Sequence, residues 1–437
     1  MPMVKRADIR NFCADQDGGI TVLSLMLMLP ILMLAGYAID TGNVMAARTQ
    51  LQIAADAAAH AALLERELHS EDDARALALD VAELNMPAER YGYVIAPENI
   101  EFGVFDHDAM QFTPDEDLNS AVRVIARRNA ENGNGVRTFL LKLVGLEEWT
   151  LNVQSVFVTY TPTCLREGFV AQQKVDLQSN NVYTAGFCIH SNSYVSLNSN
   201  NYFEPGTVVS MSNLDDLDLP NSGYKTNAGL SEALREGSWN IRIIERIEDI
   251  IGGLKTLDDN YRPDYITSTA PIALKDRNIY QDDLTPGRLH TYSCNGGAAL
   301  TIKNGTVVTD VVLISDCKTK FESGVVLQNS VIATTNTSAQ SMTASSGLVI
   351  GKDDNCAPGG GVQLVTMGSI SFPSGIQVYG SQLLSMEDID FSANADGIQG
   401  AAFVAGGEIS GTSNMSMGFC STGMEDNFQA DYFTLAL

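Results

Sequence analysis

The sequence predicts a mainly β protein with α elements. An N-terminal transmembrane helix continues as a stalk, a small α+β domain follows, and a right-handed parallel β-helix with an inserted amphipathic helix completes the chain. Three observations carry this expectation. Between Asp17 and Asp40, 22 residues pass without a charge. Near residue 100 the apolar period changes from helical to alternating. From Cys164 onward short β-rich runs recur, and Val175-Asp176-Leu177-Gln178-Ser179-Asn180-Asn181 returns 20 residues later as Val195-Ser196-Leu197-Asn198-Ser199-Asn200-Asn201. The expected divisions are a tail at 1–17, the helix at 18–64, the α+β domain at 65–162 and the β-helix at 163–437, with a helical insertion at about 230–260.

The uncharged run has the length a membrane demands, since a hydrocarbon layer of roughly 30 Å needs about 20 apolar residues in helix. Gly19, Ile20, Leu25, Pro30, Leu34 and Gly36 mark this anchor. Pro30 removes one backbone donor, which bends a membrane helix without ending it. A cleaved signal peptide is the competing reading, but its apolar core is usually shorter and Ala35-Gly36-Tyr37-Ala38 is only a fair cleavage site. Lys5, Arg6 and Arg10 precede the span and Arg48 alone lies close behind it. By the positive-inside rule the N-terminus is then cytoplasmic and the bulk of the chain lies across the membrane.

Beyond Asp40 the helix is predicted to continue. Val44, Ala47, Leu51, Ala54, Ala58 and Ala62 form one stripe at helical spacing, and small side chains permit close approach of another helix. Asp40, Gly42, Leu51, Ala55, Asp56 and Ala58 are therefore read as a face for a partner helix.

These residues also carry a resemblance. Gly18-Gly19-Ile20-Thr21-Val22, the Pro-containing apolar run, Ala38-Ile39-Asp40-x-Gly42 and Arg48-Thr49-Gln50-Leu51-Gln52-x-Ala54-Ala55-Asp56-Ala57-Ala58-Ala59 together resemble the N-terminus of TadG-like proteins of the bacterial Tad/Flp pilus-assembly system. The resemblance covers about 50 residues closely, the next hundred loosely and the rest hardly at all. It implies a pilin-like layout for the α+β domain. It also implies membrane lipid, pilin-like subunits and other pilus-assembly proteins as partners. Two departures bear on function. If a prepilin peptidase cut after Gly19, Ser24 would stand where such substrates usually have Glu, so a retained anchor fits better. The Asp-x-Ser-x-Ser element of von Willebrand-type adhesion domains, carried by some relatives, is missing.

The α+β domain begins with a helix, Ser70 with Asp73 forming its capping box, that ends before Pro87. Strands are expected at Ile100–Phe105, Ala121–Arg127 and Trp149–Val158, with a short helix from Val136 to Val144. In the C-terminal part Gly opens several β runs, at Gly305, Gly324, Gly347, Gly361 and Gly375. A repeat near twenty residues is the sign of stacked coils, with Asn180-Asn181 and Asn200-Asn201 meeting at one corner. An antiparallel sandwich with Gly/Asn turns is the alternative. Asn240, Ile243, Ile244, Ile247, Ile250, Ile251 and Leu254 form the apolar face of the inserted helix, to brace the stack or meet a partner.

Composition and motifs exclude several classes. A formal charge of −26 repels nucleic acid, and basic patches with interleaved aromatics are missing. No phosphate-binding Gly-rich loop with Lys-Ser/Thr marks a motor. Cys13 lies on the expected cytoplasmic side. Cys164, Cys188, Cys294, Cys317, Cys356 and Cys420 lie beyond the membrane, where an oxidising compartment lets them pair. Fifteen connectivities are open to six cysteines, and pairing of neighbours is the expected one. The scattered histidines and the lack of Cys-x-x-Cys argue against zinc. Calcium at Asp215-Asp216-x-Asp218 is an option to which no residue is assigned. Catalysis by a β-helix enzyme would need paired carboxylates. Asp282-Asp283, Asp353-Asp354 and Glu387-Asp388 with Asp390 are the available clusters, without the Gly-His-Gly and Arg-Ile-Lys elements of pectinolytic enzymes. The expected function is therefore non-enzymatic, with no catalytic, cofactor or metal residue: an inner-membrane scaffold or anchor for pilus assembly. An adhesin or filament subunit and a polysaccharide-active enzyme are the rivals.

Overall fold

The computed structural model describes residues 19–115, 118, 120–294, 297–359 and 361–437. The tail at 1–17, with Lys5, Arg6, Arg10 and Cys13, and Gly18 lie outside the described residues. The chain forms two compact units, Met1–Tyr160 with Asp431–Leu437, and Thr161–Ala430. The expected C-terminal domain ran to 437. Instead Tyr432–Leu435 returns to the first unit, because its alternating apolar residues complete a sheet edge there.

The first unit is built on helix α1, Gly19–Arg66, which passes through Pro30 without interruption. A second helix, α2, spans Glu71–Asn85. Ser70 caps it, its hydroxyl accepting the Asp73 N–H at 3.2 Å. A five-stranded antiparallel sheet follows, in the order 111–114, 100–106, 121–128, 151–160 and 432–435. The core forms where the small side chains of α1 meet Ala74, Ala78 and Ala82 of α2 and Phe102, Val122, Val124 and Val153 of the sheet. The short helix expected at Val136–Val144 is instead a strand pair, Val136–Arg137 with Glu148–Trp149, and a 3-10 turn, Leu141–Val144. Gly145 ends that turn in the left-handed region at φ 93°, which a glycine adopts without strain.

The second unit holds a 22-stranded sheet whose strand-to-strand pairings are parallel. The strands fall into three columns. Val175 pairs with Val195 and Leu177 with Leu197, so the repeat seen in the sequence is the register of the sheet. In the column that includes Lys174–Leu177 and Tyr194–Leu197, burial alternates along each strand and one face meets solvent. The column through Gly168–Ala171, Cys188–Ser191 and Val362–Thr366 is buried on both faces. Strands covered on both sides need near-continuous apolar runs, as these have.

The cover is the predicted insertion. It is not one helix: Leu230–Ala233, Arg242–Glu245 and Ile247–Thr256 are separate, with a strand, Leu234–Glu236, among them. Ile243, Ile247, Ile250, Ile251 and Leu254 pack on Leu289, Val312, Val331, Val365, Leu384, Val404 and Val170, one residue from each of seven successive strands. Helix Ile247–Thr256 runs past Gly252-Gly253, where a Cβ on Gly253 would lie 2.2 Å from the Tyr261 ring.

Stack order differs from chain order. In the doubly buried column the strands run from 272–273 through 288–292, 311–315, 330–334, 362–366 and 381–385 to 401–405. The next strand in the stack is 168–171, followed by 188–191, 208–211 and 234–236. The chain thus enters in mid-stack, leaves at one end and crosses by the helical insertion to the other. Glu167 ties this internal joint. Its carboxylate accepts the N–H groups of Cys420 at 2.6 Å and Ser421 at 2.5 Å. Burial pushes its carboxyl above the usual range, against the pull of those two donors.

At one corner Asn180, Asn200 and Asn414 adopt positive φ near 60°. Beside them runs a ladder of buried asparagines. Asn227 Oδ1 accepts the Asn201 N–H at 3.1 Å, Asn201 Oδ1 the Asn181 N–H at 2.9 Å, and Asn181 Oδ1 the Met415 N–H at 3.0 Å. Asn181→Leu keeps the volume but strands the Met415 N–H and the Gln178 carbonyl that Asn181 Nδ2 meets at 3.0 Å. An unsatisfied buried group costs about 1–3 kcal/mol, so the variant should lose roughly 2–4 kcal/mol in urea unfolding of the second unit. A loss within the error of the wild-type midpoint would remove the ladder as a stabilising device.

Candidate functional site

From Ile20 to Leu34 the large apolar side chains of α1 are exposed on all sides; Ile20 is 76% and Leu34 70% exposed. Ile20, Leu25 and Leu34, predicted as anchor residues, lie in this stretch with Pro30. The helix is long and apolar enough to cross a membrane.

At Gly36 the surroundings change. A Cβ there would lie 2.9 Å from the Leu140 Cβ, so the missing side chain is the seat for the 139–146 loop. One turn on, the Asp40 side chain is fully buried. Its carboxylate accepts three backbone donors, Phe139 N–H at 2.6 Å, Leu140 N–H at 3.0 Å and Leu141 N–H at 2.7 Å. Those are free donors at the start of the 3-10 turn Leu141–Val144, and an anionic acceptor satisfies them as a helix cap does. While its backbone is held, the loop turns side chains outward: Leu143 is 80%, Val144 59% and Phe139 57% exposed.

This geometry corrects the predicted partner-helix face. Leu51, Ala55 and Ala58 are fully buried in the first unit, under its own sheet and α2. An alanine stripe fits a sheet as well as it fits a helix. Asp40 serves as the cap just described. Asp56 accepts the Gln52 amide at 2.7 Å, and that amide also reaches the Gln154 carbonyl at 3.0 Å. Of the six, Gly42 alone is exposed, and nothing lies within 4 Å of a Cβ placed there. The sequence signal for the loop is Phe139-Leu140-Leu141 with Leu143-Val144, five large apolar residues in six around Lys142, a pattern that also fits a short helix.

The cysteines join as neighbours: Cys164 with Cys188, Cys294 with Cys317, and Cys356 with Cys420. Ligand-type atoms of Cys294, Asp316 and Cys317 lie within 4.8 Å of one another, but both sulfurs belong to a disulfide, and Asp316 accepts the Cys294 N–H at 2.7 Å. The carboxylate clusters hold backbone. Asp283 accepts the Tyr280 N–H at 2.8 Å, Asp354 the Ala357 N–H at 3.0 Å and Asp388 the Glu408 N–H at 2.8 Å. Asp390 shares a cleft with Asp388 and Lys318, and burial raises its carboxyl. Of the calcium trio, Asp218 accepts the Ser196 hydroxyl at 2.9 Å. His190 is buried against Trp239, ring centroids 3.9 Å apart, with Ser210 and Asn192 on its two nitrogens; burial holds it below the ordinary 6.5.

Residues 18–76 match the family model described as Flp pilus-assembly TadE/G-like. Residues 168–421 match a family described as a domain of unknown function, and the chain belongs to that family, DUF7867. No curated protein and no solved structure matches the chain.

Proposed function

We propose that this protein is a non-enzymatic, membrane-anchored scaffold of Tad/Flp pilus assembly. The observation that carries the reading is the coincidence of the TadE/G-like match with a helix whose first half is apolar on every side. Residues 19–39 form the span, with the bulk on the far, oxidising side of the inner membrane, where the three disulfides persist. The second unit is a right-handed parallel β-helix, a reading supported by three columns of parallel strands repeating about every twenty residues. Such a stack is stiff, because each coil buries its apolar face on its neighbours. Its role is to hold and present surface to other pilus components rather than to cleave a substrate, as the engagement of Asp283, Asp354 and Asp388 with backbone N–H groups favours.

Fractionation tests this. The full chain is expected to remain with membranes through alkaline carbonate extraction, and a chain lacking residues 1–35 to move to the soluble fraction. Capture of the full chain from native membranes is expected to recover other Tad/Flp components. A full chain, apolar helix intact, that stays soluble without detergent would overturn the anchor. Capture without any pilus component would overturn the assembly role.

A further inference from the structure

We infer that the loop at residues 139–146 is a second membrane contact, a foot that enters the lipid surface beside α1 and is locked there by Asp40. The inference rests on the anchor reading of α1 and extends it to a site that sequence motifs do not mark.

Three observations place the loop at lipid depth. First, its contact with α1 falls inside the uncharged run, since Leu140 seats on Gly36, three residues before the run ends. At 1.5 Å rise per residue, Ile20 to Ile39 spans about 29 Å, close to the hydrocarbon thickness, so Gly36 lies within the last turn of the membrane layer. A loop packed on Gly36 shares that depth. Second, the loop's exposed side chains are of the kind that partition into the acyl boundary. Phe139, Leu143 and Val144 are exposed, as are Leu34, Tyr37 and Ile39 of α1 on either side of the Gly36 seat. Third, the polar part of the loop is arranged for such a place. Asp40 takes three N–H groups that lipid could not satisfy, and Thr138 Oγ1 donates to the Leu146 carbonyl at 2.5 Å. Lys142 lies exposed in the loop, where a long cationic side chain can reach lipid phosphate while its stem stays in the apolar layer; Arg137 stands opposite Glu148 at the loop's base, and Glu147 follows the loop.

The occupant is lipid rather than a second protein because the loop seats on Gly36, inside the uncharged run that the anchor reading assigns to acyl chains. The Asp-x-Gly element beside it gains a physical role: Asp40 is the latch of the foot, and Gly36 is its seat.

The test uses the full chain in nanodiscs of phosphatidylcholine brominated on the acyl chains, which quench tryptophan on contact. Three single variants are compared with the wild-type chain and its own Trp149 and Trp239: Leu27→Trp in the span, Leu143→Trp in the foot and Leu84→Trp on the exposed face of α2. Position 27 is expected to be strongly quenched, position 143 to lose at least half of its added emission, and position 84 to be unaffected. Quenching at 27 with none at 143 would overturn the foot and leave the anchor standing. No quenching at 27 would overturn both. A blue-shifted but unquenched Trp at 143 would mean that protein, not lipid, covers the loop. Asp40→Ala combined with Leu143→Trp is expected to lower the quenching at 143; unchanged quenching would remove Asp40 as the latch.

Discussion

Replacing Phe169 with alanine is expected to cost the second unit about 3–5 kcal/mol, the range for deleting a fully buried phenyl ring. Phe169 is wholly buried, with ring centroids of Phe187, Phe391 and Phe403 at 5.1, 5.3 and 5.1 Å. Its backbone pairs with Phe403, so it stands where the first strand of the unit meets the strand 401–405. Two of its three aromatic neighbours, Phe391 and Phe403, belong to the distant segment, and Phe187 immediately precedes the strand Cys188–Ser191 that pairs with its own. The cavity would therefore open at the joint between residues more than two hundred positions apart in the chain. Trp239, stacked on His190 within the same unit, gives the fluorescence readout for unfolding in urea. Phe169→Leu, which keeps most of the volume, should lose less than about 1.5 kcal/mol. An alanine variant within about 1 kcal/mol of wild type would mean that this joint contributes little to the stability of the stack.

The contrast between what could and could not be read from the chain follows from the range of each signal. The run from Gly18 to Ile39 and the doublet ending in Asn180-Asn181 and Asn200-Asn201 are local patterns. The helix and the one-repeat register of the sheet follow from them directly. The order of the stack is not local. Parallel strands that pair across 168–171 and 402–405 carry the same apolar texture as strands that pair one repeat apart, and texture does not say which edge meets which. The stripe at Leu51, Ala55 and Ala58 was legible as a buried face, but small residues pack on a sheet, a helix of the same chain or a partner with equal ease. Asp40 was legible as unusual and not as a cap, because its three donors sit a hundred residues away in a loop whose apolar residues imitate a helix. The insertion kept its isoleucine face and lost its continuity at Gly237-Ser238-Trp239, where the chain turns to set Trp239 on His190.

Opening the Cys356–Cys420 bridge is expected to weaken the second unit more than opening either of the others. The three bridges span 24, 23 and 64 residues. In the chain-entropy account a bridge acts by restricting the unfolded chain, so the longest loop contributes most: about 4 kcal/mol for the 64-residue loop against about 3.5 kcal/mol for the two short ones. The long bridge also acts in the folded state. It fastens the segment after strand Ser416–Gly418 to the turn before Val362–Thr366, and Thr422 Oγ1 donates to the Cys356 carbonyl at 2.7 Å beside it. The neighbouring Cys420 and Ser421 N–H groups are those that Glu167 receives at the internal joint. Freed of its sulfur link, this segment would be held by the Glu167 carboxylate, whose own burial disfavours its charge. Cys356→Ala with Cys420→Ala should therefore shift the urea midpoint of the second unit further than Cys164→Ala with Cys188→Ala or Cys294→Ala with Cys317→Ala. Adding Glu167→Gln to the first pair should remove more stability than the sum of the separate losses, because both restraints act on one short segment. If the two losses merely add, Glu167 and the bridge secure the joint independently; if the long bridge matters least of the three, loop length is not what sets its contribution.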